Sequence, residues 1–99
     1  MNGGKKAPAK HPPLRLRLYI AGNAPNSVEA VANAKSICGE HYAGVHRLEI
    51  VDLMDNPAQA LADGIIVTPT LIKLSPLPVR KVIGNLSEKG QVLLALGGK

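Results

Sequence analysis

Aromatic side chains are nearly missing from this 99-residue chain, which has no Trp, no Phe and only Tyr19 and Tyr42. The core must therefore be built from Leu, Ile, Val and Ala, and the scarcity argues against stacked-base binding of RNA or single strands, which needs aromatic platforms. Cysteine is as scarce. Cys38 stands alone, which excludes an internal disulfide and leads us to expect a reducing, cytoplasmic compartment. No apolar run approaches the roughly 20 residues of a membrane span, and no apolar segment of the signal-peptide kind is found near the start. Acids are absent from the first thirteen residues, where Lys5, Lys6 and Lys10 sit among glycines and prolines. Residues 1–13 read as a flexible basic lead that takes three of the five net positive charges. What remains, 14–97, is one mildly basic domain, for which neither nucleic acid nor membrane is the default partner.

What is present starts with Leu14 to Ser27. Leu14, Leu16, Leu18 and Ile20 alternate with Arg15, Arg17 and Tyr19, the period of a strand with one buried face. The strand stops at Gly22, and Pro25 suits the first turn of a helix. Asn26 with Glu29 has capping-box spacing, and Asn23 is an equal candidate for the cap. A helix follows, with Val28, Val31, Ala34, Ile37 and Cys38 as its apolar stripe and Gly39 or Gly44 near its end. Cys38 on that stripe reads as a small buried hydrophobe.

Val45 to Asp52 is a second strand, with Leu48 and Ile50 on one face and Arg47 and Glu49 on the other. Asn56-Pro57 opens a short helix over Ala58 to Asp63 that Gly64 stops. Leu71 to Leu74 and Val79 to Ile83 form a hairpin around Pro76 and Pro78. A last helix, capped by Asn85 and running from about Ser87 to Leu96, completes a βαβαββα order. Two strands joined by a helix favour parallel pairing, and a hairpin favours antiparallel pairing. The result is an α/β fold of thioredoxin-like plan with a mixed four-stranded sheet. Pro69 stands at the entry to the third strand, where such folds place a cis proline.

Four blocks carry a resemblance: Leu16 to Ser27, Val51-Asp52-Leu53 with Asn56-Pro57, Ile65 to Leu71 around Thr68-Pro69-Thr70, and Pro78 to Ser87. In this order they are similar to the KaiB family of circadian clock proteins, which is related to the sensor domain of SasA-type kinases. The resemblance implies a protein without cofactor or catalytic residue. It implies docking on the ring of a KaiC-type ATPase, competition there with a SasA-type kinase, and capture of KaiA. It also implies a metamorphic protein, in which a rearranged tetramer switches to a thioredoxin-like monomer. The residues it points to for partner binding are Asn56, Pro57, Asp63, Ile65, Val67, Thr68, Arg80 and Lys81. Those it points to for the fold and its switch are Asn23, Pro25, Asn26, Pro69 and Ala95. Three positions depart from the family pattern: Gly64 replaces a charged residue, Ala95 a common glycine, and Glu49 a position that is often basic. A stand-alone thioredoxin-like stress or signalling adaptor is the alternative.

Rival chemistries lack their residues. A thiol-disulfide enzyme needs two thiols at the strand-to-helix corner, where this chain has Asn23 and Asn26. His41 and His46 flank a loop and share no ligand spacing with Glu40 or Asp52. Adjacent strands can bring Arg15, Arg17, Arg47, Arg80 and Lys81 onto one sheet face as a basic stripe, which reads as a surface for a protein partner, with a solvated face as the equal alternative.

Overall fold

The computed structural model describes residues 13–97. The chain runs β1 (Leu14–Ile20), α1 (Pro25–His41), β2 (His46–Asp52), α2 (Pro57–Ala62), β3 (Thr70–Ser75), β4 (Arg80–Ile83) and α3 (Lys89–Ala95). The four strands form one sheet in the order β2-β1-β3-β4. β1 pairs with β2 in parallel, and both the β1–β3 and β3–β4 pairs are antiparallel. The expected mixed sheet is thus present, with β1 at its centre. Apart from Pro13, the expected basic lead lies outside the described residues.

Alternation in β1 sorts the core into two layers. Leu14, Leu16 and Leu18 face α1 and α3 and pack with Ala34, Ile37, Cys38, Leu71, Val92 and Leu96. Tyr19 faces the other way and packs under α2 with Val51, Ala60 and Ile72. Full burial of a Leu side chain contributes about 1.5–3 kcal/mol, so the larger layer carries most of the stability. Cys38 is buried in that layer, and burial pushes its thiol above the usual range. Ile50 and Leu48 were expected to share a buried face, yet Ile50 is exposed and Leu48 only half-buried. The reason is position. β2 is an edge strand, and its one fully buried residue is Val51, under α2.

The caps differ from expectation in an instructive way. Pro25 takes the first helical position of α1, which makes Ala24 the cap, and no side chain bonds there. Asn23 and Asn26 are both exposed. The hydrogen bond that closes the corner comes instead from buried Ser27, whose Oγ accepts the Ala21 N–H at 3.0 Å. Gly39 lies inside α1, which ends at His41 with Tyr42 as its C-cap. Glu29, free of a capping box, accepts from Asn85 Nδ2 at 2.8 Å. Asn85 in turn does not cap α3. Its carbonyl accepts from Asn33 Nδ2 and its Oδ1 from the Ser87 N–H. These bonds fix a turn in which buried Leu86 has φ +66°, and α3 starts only after Glu88. The Thr68–Pro69 peptide is cis, as are Ser75–Pro76 and Leu77–Pro78.

Candidate docking surface

The short helix α2 begins with Pro57 at its first position and is closed by Asp63 as its C-cap, followed by Gly64 at φ +69°. Asn56 is not a side-chain cap. Its Nδ2 donates back to the Asp52 carbonyl at 3.1 Å, tying the start of α2 to the end of β2. The glycine lets the chain turn left-handed and run back toward β3.

At the C-terminal end of α2, Asp63 is locked. Its Oδ2 accepts from the Tyr19 hydroxyl at 2.5 Å and from Arg17 Nη1 at 2.9 Å. Arg17 Nε also donates to Glu49 at 2.8 Å. The tyrosine hydroxyl first, and the guanidinium after it, hold the Asp63 carboxyl below the ordinary carboxylate range. Burial, then the same carboxylate, pushes the Tyr19 phenol up to about 12. Arg17 is raised further, through Glu49 above all. Asp63, expected as a partner contact, is thereby an internal tie between α2 and β1.

Beyond Asp63 the surface turns apolar. Ile66 is 93% exposed, Ile83 67% and Leu61 81%, with Val67 partly exposed as well. The segment from Gly64 to Val67 lines a shallow hollow of about 160 Å³ together with Thr70, Lys81 and Ile83. Lys81 Nζ donates to the Gly64 carbonyl at 3.4 Å on its rim. Ile65 points inward and packs under α2, and Thr70 Oγ1 donates to the Val67 carbonyl at 2.6 Å, which pins the loop. Thr68 is half-buried and Pro69 buried beside them.

The structure thus gathers Asp63, Ile65, Val67, Thr68 and Lys81 at one end of the α2 side. Arg80 is not among them. Strand pairing sets Ile72 against Lys81 and Lys73 against Arg80, so the two basic neighbours face opposite layers. The single basic stripe expected from sequence is therefore corrected: Arg15, Arg17, Arg47 and Lys81 share the α2 side, Arg80 does not, and Arg17 is neutralised by two carboxylates. Ile66, Ile83 and the Arg17–Tyr19–Asp63 network were missed. The run Ile65-Ile66-Val67 after a helix-stopping glycine was the available signal, since a surface loop seldom needs three aliphatic residues in a row.

Among the described residues no group of acids, His and Cys is arranged to hold a metal, and no helix is long and apolar enough to cross a membrane. Comparison with known proteins gives a consistent answer. Residues 17–97 match the KaiB domain. The circadian clock oscillator protein KaiB of Microcystis aeruginosa is 49% identical over 81 residues, which is 82% of this chain and 78% of that one. The protein of the same description from Synechococcus elongatus (strain ATCC 33912 / PCC 7942 / FACHB-805) is 48% identical over 82% of this chain and 79% of its own. Among solved structures, the N-terminal domain of Synechococcus elongatus SasA superposes with a TM-score of 0.73 at 25% identity, covering 97% of this chain and 94% of that domain. Chloroplastic thioredoxin z, at 17% identity over 87% of this chain and 77% of its own, shares the fold with a TM-score of 0.70. From the strand order to the Thr68–Pro69–Thr70 entry of β3, sequence and architecture agree, and the chain belongs to the KaiB family.

Proposed function

We infer that this protein is a non-catalytic cytoplasmic regulator that docks on a KaiC-type ATPase ring and modulates its phosphorylation state. The observation that carries this reading is the exposed apolar cluster of Ile66, Val67 and Ile83 beside Lys81. Aliphatic side chains left this open on a small domain suit a protein interface, with a central apolar anchor and a polar rim. Pro57 and Asn56 position the helix that borders the cluster, and Asp63 holds that helix to the sheet. The likeness to the SasA domain supports competition between the two for one ring surface, and KaiA is a further partner implied by the family resemblance.

The test is co-elution of the full chain with a purified KaiC-type ring. Ile66→Asp and Ile83→Lys both alter open side chains, so each is expected to fold normally and to lose ring binding. Hot-spot truncations of this kind weaken binding by about 2 kcal/mol or more. If both variants co-elute like the unaltered protein, docking lies elsewhere.

A further inference from the structure

The α2 side of the sheet is only half covered. A helix of six residues spans about 9 Å, whereas the seven residues of β1 span about 23 Å. α2 lies over Tyr19, Val51 and Ile72, and the other half carries Arg15, Arg47 and Glu49, all exposed. There the surface opens into a groove of about 470 Å³, within the range of ligand-binding clefts, roughly 300–1,000 Å³. Leu16 and Leu48 send their side chains into the opposite core layer, so they present backbone to this groove, and half-buried Leu74 gives it an apolar wall.

Arg15 and Arg47 are direct partners in the parallel β1–β2 register. Neighbouring strands lie about 4.8 Å apart, and like charges set side by side on a sheet oppose its stability. Among the described residues neither guanidinium has a carboxylate within ion-pair distance. Glu49, the nearest acid along β2, is held by Arg17. Two forked cations at this spacing match one carboxylate, and the apolar wall favours a peptide side chain next to it over a bare inorganic anion. We propose that this half-face is a binding groove for an acidic segment of a partner protein, with one carboxylate held between Arg15 and Arg47 and a neighbouring apolar residue against Leu74. The groove lies at the opposite end of β1 from the Ile66 and Ile83 cluster, so ring docking and acidic-segment binding are separable.

A pentapeptide of alternating glutamate and leucine, titrated into the full chain, tests this through backbone amide shifts. The amides of Arg15, Arg47 and Leu74 are expected to move first, and high salt is expected to abolish the effect. Arg15→Gln and Arg47→Gln are each expected to weaken binding about tenfold, the scale of one lost charge-assisted bond. Both variants should melt at or above the temperature of the unaltered chain, because a repulsion has been removed. Three results each overturn the proposal: no shift at millimolar peptide, equal binding of a peptide with glutamine in place of glutamate, or displacement of the peptide by equimolar inorganic phosphate. Unchanged affinity in both arginine variants does so as well.

Discussion

Replacing Tyr19 by Phe removes one oxygen from the centre of the sheet and leaves the ring in place. That ring is fully buried under α2, so the packing of the layer is kept and the hydrogen bond is isolated. The hydroxyl's main bond is the 2.5 Å donation to Asp63, with the Gln59 carbonyl as a longer second acceptor at 3.2 Å, and a bond to a charged group contributes about 1.5–3 kcal/mol. The Asp63 side chain is 24% exposed, so water and Arg17 take over part of the vacancy. We therefore expect the low end, about 1.5 kcal/mol, or roughly 6–12 °C in melting temperature for a domain of this size. The pH profile gives a second reading. Asp63 titrates below its ordinary value when folded, so its contribution is complete above the unfolded carboxylate range and is lost as pH falls through the folded value. Tyr19 titrates near 12 when folded against 10.0 unfolded, so its contribution is complete below pH 10 and is lost as pH rises toward 12. Tyr19→Phe should flatten the alkaline limb and move the acid limb to higher pH, since Asp63 loses the first cause of its depression. Urea titrations from acid to pH 12 measure both limbs. A variant within about 0.5 kcal/mol of the original at neutral pH, the scatter of surface changes, with both limbs unmoved, would refute the role given to this network.

Gly64→Ala is expected to destabilise the protein by about 1–2 kcal/mol, because an L-residue there must adopt the left-handed conformation at φ +69°. Its Cβ would meet only the flexible end of Lys81 at 3.2 Å, so urea denaturation showing a loss far above that range would point to a clash not seen in the structure. Cys38, buried in the core with its thiol pushed up by burial, should react with a disulfide reagent only through local opening. Its labelling rate should rise steeply in mild denaturant, and labelling as fast as a free thiol in buffer contradicts the packing.

Much of the fold was legible because each element repeats a simple period. The alternation of Leu14, Leu16 and Leu18 with Arg15 and Arg17 announces a half-buried strand, and the prolines at 76 and 78 announce the hairpin. The caps were not legible, because Asn23, Asn26, Asn85 and Glu29 are all competent for roles that only tertiary neighbours assign. Asn85 was recruited by Asn33 and Glu29, some fifty residues away in sequence, and no local pattern encodes that. The same holds for the candidate site. Asp63 was found as a family-matched position, but its role as an internal tie depends on the register that brings Tyr19 and Arg17 beneath α2. Arg80 and Lys81 looked like one basic pair, and strand alternation divided them between two faces.

The family resemblance raises the question of which packing this chain adopts at rest, and we expect the thioredoxin-like monomer. Any rearranged form must release what now holds α3. Val92 and Leu96 are buried against the sheet, Lys89 pairs with Glu40 at 2.8 Å, and the Asn33–Asn85–Glu29 bonds fix the turn before the helix. Leu93, Leu94 and Ala95 favour a helix by propensity, and Val92 is the one β-branched residue between Gln91 and Leu96 that a strand would welcome. Gly90 works the other way, exposed within the first turn of α3. Ala95→Gly should weaken the helix by about 1 kcal/mol and Gly90→Ala strengthen it by a similar amount. For two packings within a few kcal/mol, either change shifts their ratio about fivefold, in opposite directions. Light scattering with backbone chemical shifts reads both the mass and the local structure. The unaltered chain and Gly90→Ala should be monomers with helical shifts over Lys89–Ala95, and Ala95→Gly should be the variant in which a larger species appears. A tetramer in dilute solution with strand shifts from Gln91 to Leu96 would place the balance on the other side.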